Sequence, residues 1–205
     1  MPDSGCGVGG VGCALIQRLS CRQPDNGSML SCPALGGRLA ALIALALLCA
    51  CSPTLDWREV RPEGSGAVLL FPCKPSTDTR TVTLDGVRVR MLLTACRAGD
   101  ATWALAFADV GEPSRVTSSL AALRAATVAN LGAPAQLLGP MRVSGMTPNP
   151  LAEHLRTRGK LPGGEAVTLE AGFFVKGTWV FQSTVMGGGP SSEAVDVFFD
   201  NLKLP

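Results

Sequence analysis

Thr79–Arg97 reads TRTVTLDGVRVRMLLTACR, and its alternation decides the architecture. Asp85-Gly86 is a two-residue turn signal, because both residues tolerate the positive φ that a tight hairpin demands. Folding the chain there pairs Leu84 with Val87, Val82 with Val89 and Arg80 with Met91. One face then carries Val82, Leu84, Val87, Val89 and Met91, and the other Thr81, Thr83, Arg88 and Arg90. Period-2 alternation on both arms is the pattern of an antiparallel hairpin with one buried face. Leu92 and Leu93 are apolar on both faces, so the second arm runs on into a sheet interior.

Outward from the hairpin, Gly99-Asp100 is a second turn. Thr102–Val110 returns as a strand with Trp103, Leu105 and Phe107 on one face and alanines on the other, a surface for a closely packed helix. Glu112-Pro113-Ser114 opens a helix with proline near its first turn. Val116, Leu120, Leu123, Thr127 and Leu131 make its apolar stripe, and Gly132 and Pro134 close it. Upstream, Ala67–Phe71 is a short strand buried on both faces, and Trp57–Arg61 adds a first edge strand.

Downstream, Gln136–Ser144 and Ala152–Thr157 read as strands separated by a loop with two prolines, and Lys160–Gly164 as a turn. Ala166–Val175 and Thr178–Met186 pair about Lys176-Gly177, with Phe173, Val175, Trp179 and Phe181 as core candidates. Ser191 is a good N-cap, and Val195, Phe198, Phe199 and Leu202 form one face of a last helix. Strands, helix, strands, helix is the order of an α+β fold. We expect a central antiparallel sheet of about six or seven strands packed by two main helices, in a single domain over 67–205.

Composition narrows the function classes. The formal net charge is +2, and charges of both signs are interspersed, so neither a nucleic-acid patch nor a polybasic membrane surface is indicated. Tyrosine is absent and aromatics are 5% of the chain, which leaves few stacking platforms for single-stranded nucleic acid.

Leu39–Cys51 reads LAALIALALLCAC, with Arg38 before it and Pro53 and Asp56-Trp57-Arg58-Glu59 after it. The run is too short to span a membrane, which takes ~20 apolar residues. It has the length of a secretory h-region, ~7–15 residues. Leu48-Cys49-Ala50-Cys51 resembles the lipobox of bacterial lipoprotein signal peptides. That resemblance implies a cleavable signal helix over 29–50, cleavage before Cys51, lipid on its sulfur and a tether over 51–66. Ser52 is not acidic, which favours the outer membrane over inner-membrane retention. Translation is expected to start near Met29, with 1–28 a non-native extension. Within it, Gly5-Cys6-Gly7-Val8-Gly9-Gly10 matches G-x-G-x-x-G, but no strand can precede it, so it reads as glycine bias.

Five of the eight cysteines (Cys6, Cys13, Cys21, Cys32 and Cys49) precede Cys51. With Cys51 acylated, Cys73 and Cys96 remain as an even pair in an oxidising compartment, where a disulfide is expected. Two buried free thiols are the alternative.

Three segments together resemble the PsbP/DcrB-like α/β sandwich group. They are Phe71-Pro72-Cys73-Lys74-Pro75 after the opening strand, the long hairpin leading to Trp103–Asp109, and the end from Gly177-Thr178-Trp179 to Phe198-Phe199-Asp200-Asn201-Leu202-Lys203-Leu204. Asn201 stands where that group usually has serine. The resemblance implies helices on both sides of the sheet and an accessory or assembly role.

Chemistry is sparse. His154 is the single histidine, so a hydrolytic triad would have to use it, yet G-x-S-x-G is missing. Glu153 and Glu170 serve as an acid–base pair only if folding joins them. No metal or cofactor is expected. Arg88 and Arg90, with Arg80 nearby, are a candidate anion- or partner-binding face, although such alternation also describes a solvated strand. The expected function is a lipid-anchored, periplasm-facing binding or accessory protein of the cell envelope, with a protein partner there. The alternatives are a hydrolase built on His154 and a carrier of a small apolar ligand between sheet and helix.

Overall fold

A computed structural model describes residues 54–161 and 163–205. The extension 1–28, the leader 29–50 and Cys51 lie outside the described residues. Those described carry strands β1 (Arg58–Val60), β2 (Leu69–Phe71), β3 (Ser76–Leu84), β4 (Val87–Ala98) and β5 (Ala101–Asp109). Helix α1 (Val116–Ala129) follows, then β6 (Ala135–Pro140), β7 (Glu153–Lys160), β8 (Ala166–Lys176), β9 (Trp179–Gly187) and helix α2 (Ser192–Asp200). Seven strands form one antiparallel sheet in the order β3-β4-β5-β9-β8-β7-β6. The fold is α+β, as the order of elements predicts.

The hairpin has the expected register, Leu84 opposite Val87 and Val82 opposite Val89. Asp85 and Gly86 both have positive φ, 49° and 75°, the backbone that matches the twist of two paired strands. The other predicted hairpin also holds, with Lys176 opposite Trp179.

The sheet has two covered faces. Under α1, Val116, Leu120 and Leu123 pack on Ala108, Leu155, Leu169, Phe173 and Val175. On the opposite face, α2 and the separate β1–β2 sheet cover Trp103, Leu105, Phe107, Phe174 and Phe181. There Phe198 meets Phe71 and Trp103 edge-on, with ring centroids 5.5 and 5.4 Å apart. Ser191 caps α2, its Oγ accepting from the Ala194 amide at 3.2 Å. Of the predicted core residues, Phe173 and Val175 face α1 and Phe181 faces α2, while Trp179 is half-buried.

Several boundaries move, each for a local reason. The helix begins as a 3-10 turn over Pro113–Arg115, and Leu131 is buried just beyond its end. β6 stops at Pro140 rather than Ser144, after a register shift between Leu137 and Gly139. β7 runs on to Lys160, so the turn there starts one residue later, closed by the Leu161 amide on the Glu165 carbonyl. The first strand pairs with β2 instead of edging the main sheet. Residues 54–66, expected within a tether, therefore carry β1, and Trp57 meets Trp103 edge-on at 5.8 Å. Cys73 and Cys96 are joined in a disulfide, with Cα atoms 6.0 Å apart.

Candidate functional site

Register across the sheet builds a groove at one end of the face that α2 covers. Thr79, Leu92, Phe107 and Phe181 lie side by side, because Thr79 pairs with Leu92, Leu92 with Phe107 and Phe107 with Phe181. One pleat further, Arg90 pairs with Thr81 and Asp109 with Trp179. Directly opposed residues in a sheet share a face, so these rows project together. The first row is mostly apolar and the second is polar and aromatic.

The loop after β1 closes one wall. Ser65 fixes it: its amide and Oγ both donate to the Pro62 carbonyl, at 3.1 and 2.7 Å, and Oγ accepts from the Ala67 amide at 2.9 Å. Gly64 and Gly66 have positive φ in this turn, 78° and 62°. The result is an open groove of about 580 Å³ lined by Glu63, Gly64, Thr77, Thr79, Arg90, Leu92, Asp109 and Trp179. Thr77 Oγ1 is already bonded to Thr94 Oγ1 at 2.9 Å, and Asp109 Oδ1 accepts from the Gly111 amide at 2.9 Å. Among the described residues, Glu63, Arg90 and Asp109 form no ion pair. Their charges stay open to a ligand. Trp179 packs on Phe107 at a centroid distance of 6.0 Å and turns its remaining surface into the groove.

The candidate basic face divides. Arg88 and Arg90 share a face and are exposed, and Arg90 lines the groove. Arg80 does not join them. It pairs with Met91, which packs in the α1 layer, and its guanidinium is bonded to Asp78 at 3.1 Å. That hydrogen bond and the one from the Thr79 amide hold the Asp78 carboxyl below its usual range. The three arginines are thus not one anion site. The pleat sends Arg80 to the other side, as its pairing with Met91 requires.

His154 sits in a second cluster. Its Nε2 is 3.0 Å from Glu170 Oε1, close but not aligned as a hydrogen bond, and its ring lies 4.3 Å from that of Phe199. Arg156 donates to Glu170 Oε2 at 2.7 Å. The Glu170 side chain is only 8% exposed. Burial pushes its carboxyl up, but the His154 and Arg156 contacts outweigh that and hold it below the ordinary glutamate range. Glu153 points to the other face, where it meets Arg124 of α1 at 2.6 Å. The two glutamates therefore cannot share a proton-transfer site.

A third feature is a cleft of about 390 Å³ between the end of α1 and the sheet. Leu123, Leu131, Leu161, Leu169 and Met186 line it, with Thr127, Asn130 and Gln182 as its polar groups. Among the described residues no cluster of three or more His, Cys, Asp or Glu is placed to hold a metal, and no helix is long and apolar enough to cross a membrane. Comparisons of the chain with family models, curated proteins and solved structures gave no match.

Glu63, Asp109 and Trp179 escape a reading of the chain as separate segments. Asp109 ends one strand and Trp179 starts another, so only the β5–β9 register shows that they are neighbours.

Proposed function

We propose that this chain is a lipid-anchored binding protein of the bacterial cell envelope, non-catalytic, held through Cys51 and facing the periplasm from the outer membrane. The observation that carries the binding role is the groove, whose charged side chains form no ion pair among the described residues, with Arg90 and Asp109 on one sheet face and Glu63 on the loop beside it. The lipobox-like run before Cys51 supports the anchor. The PsbP/DcrB-like segments fit an accessory role, and a sheet with a helix on each face suits that resemblance. The absence of a nucleophile weighs against a hydrolase: among the described residues no Ser, Thr or Cys is bonded to His154 Nε2, whose near neighbours are Glu170 and Phe199. A carrier role for a small apolar molecule is the second reading, favoured by the cleft under α1.

Metabolic labelling with palmitate tests the anchor. Label on the wild-type chain should disappear in Cys51→Ala. Equal labelling of both chains refutes lipidation at that sulfur. Photo-crosslinking from Thr79 in the native envelope tests the binding role. A captured neighbour supports it, and an uncaptured chain at native abundance rejects it.

A further inference from the structure

We infer that the groove takes a neutral carbohydrate, with one sugar ring seated on Trp179. This deepens the binding role proposed above and rests on it. The argument starts from charge. Arg90 alone would suit an anion, but Asp109 and Glu63 line the same groove. Continuing the β4–β5 register by one step from Met91 and Ala108 sets Asp109 beside Arg90. A phosphate or carboxylate drawn to Arg90 therefore meets two carboxylates, and a simple cation drawn to them meets the guanidinium. Like charges lining one groove disfavour both ligands.

A ligand with many hydroxyls and no net charge meets no such conflict. Each hydroxyl both donates and accepts, so it can give to Asp109 or Glu63 and receive from Arg90. These three side chains end in planar polar groups able to bond two neighbouring hydroxyls at once, and bonds to charged groups are the stronger ones. Thr79 adds a hydroxyl from the edge strand.

The apolar half of the site fits the same class. A pyranose has a face of C–H bonds, and an indole presents a flat surface of matching size and opposite polarity. Trp179 is half-buried, held against Phe107, with Leu92 beside it. Its ring is positioned before any ligand arrives, which lowers the ordering cost of binding. The walls are equally fixed, since four of the lining elements are hydrogen-bonded strands and Ser65 locks the loop. The groove volume of about 580 Å³ lies within the range of small-molecule sites, ~300–1,000 Å³. Its openness along the sheet edge suits a ring within a longer chain.

The test uses the full chain, solubilised in a detergent without a sugar headgroup. It is applied to an array of neutral oligosaccharides, and the best-bound one is titrated by calorimetry. Asp109→Asn preserves shape, and Trp179→Ala removes the platform. Each should weaken binding by about ten-fold or more. Arg80→Ala, on the opposite face, should leave it unchanged. Thermal melts establish that each variant is folded, and Asp109→Asn decides the matter if Trp179→Ala is not. An array without a bound sugar, or affinity unmoved by Asp109→Asn, overturns the inference. So does binding of inorganic phosphate that is lost in Arg90→Ala. If the array is blank while the Thr79 crosslink captures a protein, the carbohydrate inference fails and the binding role stands. If both are blank, both fail.

Discussion

Removing the Cys73–Cys96 disulfide should destabilise this fold by a predictable amount. The bridge spans 23 positions of sequence. Closing a loop of that length removes roughly 11 cal/mol/K from the entropy of the unfolded chain, or about 3.4 kcal/mol at about 25 °C. The Asp85-Gly86 turn lies inside this loop, so a residual hairpin in the unfolded chain lowers the figure. For a folded unit of this size the loss corresponds to a drop in Tm of roughly 7–14 °C. The loss should also be uneven. β1 and β2 pair with each other, and the bridge joins the segment just after β2 to the C-terminal end of β4. Without it, the β1–β2 sheet is held by its packing under Phe198, the Trp57–Trp103 contact and the Val68–Lys203 bridge. The double variant Cys73→Ser/Cys96→Ser, melted without reductant beside the wild type, measures the total. Amide exchange measures the distribution, which should accelerate most at β1 and β2 and least at β8 and β9. A melting point within about 2 °C of the wild type refutes the reasoning. So does a non-reducing peptide map that finds both thiols free.

Two other perturbations probe the packing and the buried charge. Phe198→Ala empties the contact among Phe71, Trp103 and Phe199, and should cost about 3–5 kcal/mol in urea unfolding; a loss under about 1 kcal/mol means that α2 does not pack as described. Glu170 binds fewer protons in the folded state than in the unfolded one, because its folded pKa is lowered. Its contribution is therefore complete above the ordinary glutamate value of about 4.3 and is lost as pH falls through the lowered value. Glu170→Gln should lose about 1.5–3 kcal/mol near neutral pH, and the gap to the wild type should narrow in acid. A gap that is constant from about pH 6 to about pH 3 contradicts this.

Much of the fold is legible in the chain because local chemistry is enough to define it. Asp85-Gly86 and Lys176-Gly177 demand turns, and period-2 alternation sets which residues oppose which. Ser191 before an apolar stripe marks the last helix without reference to anything else. The less legible parts depend on distant partners. The three-residue β1 is stabilised only by β2 and by the aromatic cluster below it, so its periodicity is too short to reveal whose neighbour it is. β6 ends where a register shift and Pro140 break the ladder, which an apolar count over Gln136–Ser144 does not register.

The site divides in the same way. Arg88 and Arg90 are assigned to one face by their own hairpin, and the same pleat already sets Arg80 against Met91 on the other. Three residues of the groove, Glu63, Asp109 and Trp179, come from a loop and two strands far apart in the chain; the sheet order β4-β5-β9 brings Asp109 and Trp179 to Arg90, and the loop after β1 brings Glu63. The same holds for Glu170, whose partners His154 and Arg156 lie on the neighbouring strand β7. By itself the sequence determined the turns, the faces and the α+β order, because these arise from backbone sterics and from the repeat of apolar side chains. Only the tertiary structure decided which charges meet, because that depends on which strands lie side by side.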